Sequence, residues 1–491
     1  MRFAQISSSR DYWKMEAVLR RKSNESLARQ NKVLKEKLRR ERQASRAARA
    51  RAEELEKAST PNVMPRGDVR VVCVMMFYVG IISCRSVKRV LALLAQSGRI
   101  RCGWIPHSSS IVNWVGRAGL GLLNAVAKIP TRWMAIVDTS ISFGRTKALV
   151  VLRVPLDHFT RANAAPTVVD VECIGLVVSE TWNGDTVHSA LKTIFEKSGF
   201  PSAMLKDGGG DLAKGARLLQ ETHPELIVLE DVGHVAANEL KRLYGRNEVL
   251  GRFLALVNAA RCLMSQSQIA SLRPPIIRSK GRFQSISRVT EWAANALWLM
   301  GGRGQAPAKS LACALRRCIP GLAKMRAFIE RFERDCRTIN RFLLLLKNNG
   351  LNEASYAAAQ PILDLLPKTN RLRPKLTAWL LAHKNLRSQL NMGDAPLLVS
   401  SDIIETVMGM LKNVIERMPI PEFTTLALAT PLFCGAQTEA SIQDALRRCA
   451  HGDLIDWRSE NCSNTHRKVK RDLLIGQVVE HVPKPPINLS P

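Results

Sequence analysis

The sequence contains no C-x-x-C pair, no apolar run long enough to cross a bilayer and no internal repeat of fixed period. Each absence removes a class of protein. Eleven cysteines scattered without paired spacing give no disulfide framework and fit reduced thiols in a cytosolic compartment. The apolar stretch from Val71 to Ile82 is too short to span a membrane and is flanked by Arg70 and Arg85, so it reads as a buried helix and no membrane partner is expected. The opening Met-Arg-Phe-Ala-Gln runs into charged residues, which predicts no secretory signal. Gly208-Gly-Gly210 lacks a following G-K-[ST], and so predicts no ATP-phosphate loop.

Negative charge is also scarce. Asp and Glu total 42 against 73 Lys and Arg, a formal net charge of +31. That field repels itself unless a polyanion offsets it, so nucleic acid is the expected partner. The 491 residues suit two to four domains.

Residues 13–57 contain neither Gly nor Pro and are rich in Arg, Lys, Glu, Ala and Leu, the composition of a long exposed basic helix within a segment 1–60. Leu27, Asn31, Leu34 and Leu38 alternate at spacings of four and three, which fits either a short dimerising coiled coil or a single solvated helix. Pro61, Pro65 and Gly67 end it. Over 68–125 two amphipathic stretches flank Ser97-Gly98-Arg99, the first capped at Ser83 to Ser86 and the second at Pro106 to Ser110, and the pattern predicts a helix-turn-helix. In such a motif Ser108, Ser109, Ser110 and Asn113 face base edges, while Arg85, Lys88, Arg89 and Arg117 hold phosphates. A plain helical bundle gives the same pattern.

After Pro130 the period changes to that of strands. Trp133 to Asp138, Lys147 to Val154 and Cys173 to Val178 are apolar and β-branched, a helix follows from Thr186 to Lys197, and Ala203 to Asp207 is again a strand. A helix over Ala213 to Glu221 and a strand over Glu225 to Leu229 complete the order βββαβαβ. Residues 241–400 are helical by pattern, a strong helix spans Asp402 to Arg417, and 421–491 ends in a basic, Pro-rich tail.

Two of these strands end in a carboxylate, Asp138 and Asp207. A carboxylate there must be solvated, paired or metal-bound, and two held together repel unless a cation joins them. Hard oxygen donors of this kind suit Mg²⁺ or Mn²⁺. Cys449, His451, Cys462 and His466 have no common zinc-finger spacing, so no zinc site is expected.

The strings A-I-V-D-T-S around Asp138, M-L-K-D-G-G-G-D-L around Asp207 and S-D-I-I-E-T-V-M-G-M-L-K around Glu405 resemble the DDE transposases of the RNase H-like superfamily, of the bacterial insertion-sequence type. The resemblance covers residues 130–240 and 400–417, less than a third of the chain. It implies an α/β fold: an RNase H-like mixed five-stranded sheet (130–240), a large helical insertion (241–400) and a last catalytic helix (401–420), beside the helix-turn-helix and basic helix. It implies Asp138, Asp207 and Glu405 as catalytic residues holding two Mg²⁺ or Mn²⁺ ions, with Lys412 near DNA. Glu230-Asp231-Val-Gly-His234 is similar to a D-x-x-H signature of some groups, which makes Asp231 and His234 auxiliary residues. The implied reaction is metal-dependent cleavage and strand transfer of double-stranded DNA, at transposon ends and target. A homodimer or higher oligomer in the cytoplasm, associated with the nucleoid, is the implied setting.

Asp211 and Asp231 stay open as rivals to Asp207, and Glu291, Glu353 and Glu416 as rivals to Glu405. Two other functions keep the same residues: a transposase-derived DNA-binding protein that no longer cuts, and a nuclease or resolvase on the same fold.

Overall fold

The computed structural model describes residues 36, 64–143, 146–277, 283, 286–301, 309–417, 423–462, 470, 471 and 474. The basic helix and seam expected over 1–60, residue 36 apart, and most of the basic tail lie outside the described residues. Contacts divide the chain into two units, Met1–Val69 with Ala92–Ile105, and Arg70–Leu91 with Pro106–Pro491. In the first, Met64 bridges Cys102 and donates its N–H to the Arg101 carbonyl at 2.9 Å. All of the sheet belongs to the second.

Three helices come first: α1 (Arg66–Gly80), α2 (Cys84–Gln96) and α3 (Ser108–Ala125). The expected caps are present, since Ser83 Oγ accepts from Ser86 N at 3.1 Å and the His107 ring accepts from Ser109 N at 3.3 Å. α3 runs two turns past Arg117, the expected end, and its middle is buried from Ile111 to Leu123 on more than one side. A Cβ added to Gly119 would lie 1.7 Å from the Leu428 carbonyl oxygen, and one on Gly121 would lie 2.0 Å from that of Ala445. Only glycine admits such backbone contact, so α3 is a core helix of its unit.

The sheet comprises β1 (Trp133–Phe143), β2 (Thr146–Pro155), β3 (Glu172–Ser179), β4 (Ala203–Lys206) and β5 (Ile227–Glu230) in the order β3-β2-β1-β4-β5. β1 pairs antiparallel with β2 and parallel with β4, and β4 parallel with β5. The mixed sheet and its five strands thus follow the order read from the sequence. β2 is buried on both faces from Ala148 to Val154, which explains its apolar run up to Leu152, and the buried Arg153 pairs with Glu172.

Two helices serve as the parallel crossovers, α5 (Gly184–Ser198) before β4 and α6 (Gly210–Thr222) before β5, numbered after the short α4 (His158–Ala162). Asn183 caps α5, accepting from Asp185 N and Thr186 N at 3.0 Å each. Val187, Leu191 and Phe195 of α5 and Leu212, Ala216 and Leu219 of α6 form one core with Trp133, Ala135 and Val137 of β1 and Met204 of β4. That core covers one face of the sheet.

Helices then follow almost without interruption: α7 (Val232–Tyr244), α8 (Glu248–Ser265), α9 (Ile286–Leu299), α10 (Lys309–Cys318), α11 (Arg326–Asn349), α12 (Glu353–Asp364) and α13 (Leu372–Gln389). A buried polar link ties them: Tyr244 of α7 donates to Asp335 of α11 at 2.6 Å, and Asn370 donates to the same carboxylate at 2.9 Å. α13 packs on β5 and α7, and α14 (Asp402–Ile415) packs on β1. α15 (Glu439–Arg448) and α16 (His451–Asn461) close over α3.

Candidate active site

Register gathers the acids. The β1–β4 ladder ends on the pair Val137–Lys206, and the β4–β5 ladder on Lys206–Glu230. Asp138, Asp207 and Asp231 are the next residues of three adjacent parallel strands, so they stand in one row at the sheet's carboxyl end. Neighbours along a strand point to opposite faces. Since Val137 belongs to the core beneath α5 and α6, Asp138 takes the other face, the one on which α14 packs. β1 does not stop at Asp138 as the sequence suggested. It continues to Phe143, and its pairing with β2 shifts register between Asp138 and Ile141. Asp138 is therefore only 2% exposed, the strand continuing past the point where β4 has ended.

The row is chemically uneven. Asp207 is half-buried and takes one backbone hydrogen bond, from Gly209 N at 2.7 Å. Asp231 is buried and fully engaged: Oδ1 accepts from His234 N at 2.6 Å and faces His234 Nδ1 at 3.0 Å, while Oδ2 accepts from Ser401 N at 2.6 Å and Ser401 Oγ at 3.0 Å. It thus caps α7 and ties the start of α14 to β5, helped by Val232 N donating to the Val399 carbonyl at 3.0 Å. Burial works to raise the Asp231 carboxyl, but the His234 hydrogen bond and charge and the two backbone N–H groups outweigh it and hold it below the usual carboxylate range.

His234 sits between the acids, with Nε2 3.9 Å from Asp207 Oδ2. Burial pulls its pKa down, yet the Asp231 hydrogen bond and charge, then the charges of Asp207 and Glu405, push it up to about 9. It is a cation at neutral pH. Glu405, one turn into α14, feels the same group: desolvation raises its carboxyl, the His234 charge opposes, and Asp402 and Asp231 add to the rise. Its own side chain is exposed, as a group at the rim of a site is. Asp402, three residues earlier, pairs with Lys347 of α11 at 2.7 Å.

The oxygen-rich donor set fits a hard divalent cation. Mg²⁺ keeps several waters and takes one or two protein carboxylates plus substrate phosphates, a donor type that Asp138 and Asp207 would offer. Among the described residues no three His, Cys, Asp or Glu side chains converge to hold a metal by themselves.

The other expected residues lie elsewhere. Arg85 and Arg89 are exposed on α2 and Lys88 is half-buried there. Ser109 is exposed at the start of α3, with Ser108, Ser110 and Asn113 half-buried. Arg117 donates to the Cys449 and Leu446 carbonyls at 2.7 Å each, which commits its guanidinium to holding α3 against α15. Lys412 is exposed and 3.5 Å from Glu416. Of the rival acids, Asp211 and Glu291 are exposed on helices and Glu353 pairs with Lys384 at 2.8 Å.

Sequence reasoning missed three supports. Ser401 was legible only as a helix cap, and its long-range bond to Asp231 has no local signal. Lys206, buried behind Asp207, lies 3.7 Å from Glu230. His383 accepts from Glu230 N through Nε2 at 3.1 Å and donates through Nδ1 to the Trp379 carbonyl at 2.9 Å, so it is neutral, in line with the downward push of burial.

No family model matches the chain, and no curated protein matches it. Among solved structures it aligns with the Drosophila P element transposase strand transfer complex, at 11% identity over 79% of this chain and 98% of that one, with a TM-score of 0.39. A likeness of that size decides nothing about the site, whose chemistry rests on the geometry above. No helix among the described residues is long and apolar enough to cross a membrane.

Proposed function

We propose that the chain is a metal-dependent enzyme of the RNase H-like class acting on nucleic acid. Within that class we infer a DDE transposase, which cuts transposon ends and joins them to target DNA. The observation that supports this best is the row at the sheet's carboxyl end, Asp138 and Asp207 on adjacent strands with Glu405 brought to the same end by α14. The +31 charge supports a DNA partner.

In this reading Asp138 and Asp207 hold divalent ions with Glu405 at the rim. Two such ions, when bound, supply charge stabilisation to the attacking and leaving oxygens of a phosphodiester. The chain's own part is placement. Gly208 to Gly210 carry no side chain beside Asp207, so a phosphate can come close. Asp231 fixes the start of α14 and hence Glu405, and it orients His234, whose positive charge moderates the repulsion among the acids.

Asp138→Asn tests the reading. Mg²⁺-dependent cleavage of DNA carrying the element's ends should disappear while affinity for the same DNA in EDTA stays unchanged. Normal cleavage by that variant would reject the assignment.

A further inference from the structure

Helix α7 leaves the acid site with one polar face. His234, Asn238, Lys241 and Arg242 follow one another at helical spacing and share a side, with Gly245 and Arg246 in the turn that follows, while Val232, Ala236, Leu240 and Tyr244 are buried on the other. Asn238, Lys241, Arg242, Gly245 and Arg246 line a cavity of about 630 Å³. Its near end abuts the site, because Asn238 Nδ2 lies 3.1 Å from where a Cβ on Gly208 would stand, one residue after Asp207. Gly245 supplies a wall without a side chain.

The charge in this cavity is of one sign. Arg242 pairs with Glu239, but Lys241 and Arg246 are exposed and have no carboxylate partner among the described residues. Among the described residues no acid and no large apolar side chain lines it. A concave surface with three cations and an amide selects an anion with several oxygens, and it offers nothing to an acyl chain. From His234 to Tyr244 the helix rises about 15 Å at 1.5 Å per residue, long enough to follow several phosphates of one strand.

We propose that this face of α7 is a phosphate track that carries the sugar–phosphate backbone of DNA to Asp207, with Lys241 and Arg246 as its principal contacts and Asn238 as the last before the acids. It deepens the transposase reading by naming where the strand runs, and it adds contacts away from α2 and α3.

The test uses the full chain in EDTA and a labelled DNA duplex, with affinity followed against salt by anisotropy. For the Lys241→Ala/Arg246→Ala variant the slope of log affinity on log salt should become shallower by about 1.8, at about 0.9 per lost phosphate contact, with affinity falling about tenfold. Lys241→Arg/Arg246→Lys keeps both charges and should keep the wild-type slope, and equal melting temperatures show that both variants fold. An unchanged slope in the alanine variant overturns the track. So does a pyrophosphate or mononucleotide that binds wild type and not the variant while duplex affinity is equal in both, which would make the cavity a small-anion site. Mg²⁺-dependent cleavage by the wild type is scored separately. Without cleavage, a shallower slope still upholds the track while the enzymatic reading falls; with cleavage, an unchanged slope removes only the track.

Discussion

The ends of β4 and β5 carry the same residue at the same register, and they do different work. Asp207 keeps most of its acceptor capacity, with one backbone donor and an open flank of glycines. Asp231, one strand over, spends both oxygens on four contacts and is sealed in the core. A carboxylate at the end of a parallel strand is thus not by itself a reactive group. What separates the two is whether the fold provides donors: where it does, the acid is a structural clamp, and where it does not, the acid is left for a cation or a substrate. Arg117 and Arg85 repeat the contrast with positive charge, since one guanidinium is spent on two carbonyls and the other is exposed to solvent.

Four experiments would break or sharpen that contrast. Asp207→Asn should lower Mg²⁺-dependent DNA cleavage by about 10³-fold, the scale of several kcal/mol of lost charge stabilisation, with a melting temperature close to wild type. A large loss of stability instead would make Asp207 a clamp like its neighbour. Asp231→Ala should do the opposite first, costing about 3 kcal/mol in denaturant unfolding, because it strands Ser401 N, His234 N and a buried imidazole. A variant as stable as wild type would remove the clamp.

The third experiment is a pH series without divalent ions. His234 has its folded pKa raised from 6.5 to about 9, so its contribution is fully present below pH 6.5 and is lost as pH rises through about 9. Unfolding free energy should fall by up to about 3 kcal/mol across that window, and His234→Gln should flatten the fall. A profile unaffected by the substitution would mean that the acids do not hold the imidazolium. The smallest effect is expected from Arg117→Ala, a loss of about 1 to 2 kcal/mol in stability with no change in the salt dependence of DNA affinity. A shallower salt slope would return α3 to the DNA surface.

Much of the sheet was legible because its strands are apolar runs bounded by Pro, Gly and Asn, a pattern that local periodicity reports well. Asp207 was legible for the same reason, as the residue that directly follows the short strand Ala203 to Lys206 and precedes three glycines. The end of β1 was misjudged, because Thr139 to Phe143 is polar enough to read as a turn, yet Ile141 to Phe143 pair with β2. The helix-turn-helix pattern found the helix over 84–96 and the start of the one over 108–125, which it ended two turns early at Arg117, but not what surrounds them. Gly116, Gly119 and Gly121 mark α3 as a helix meant for close backbone contact, a signal that was present and was not used.

By itself the sequence determined the strand and helix order and the excess of positive charge, since these depend on composition and short-range period. Only the tertiary structure decided that Asp231 is bound up with Ser401, 170 residues away, and that Arg117 is spent on the Cys449 and Leu446 carbonyls. The same holds for the side of α7 that opens beside Gly208. Each of these depends on which distant donor or acceptor reaches a polar group, and partners far apart along the chain leave no periodic trace in it.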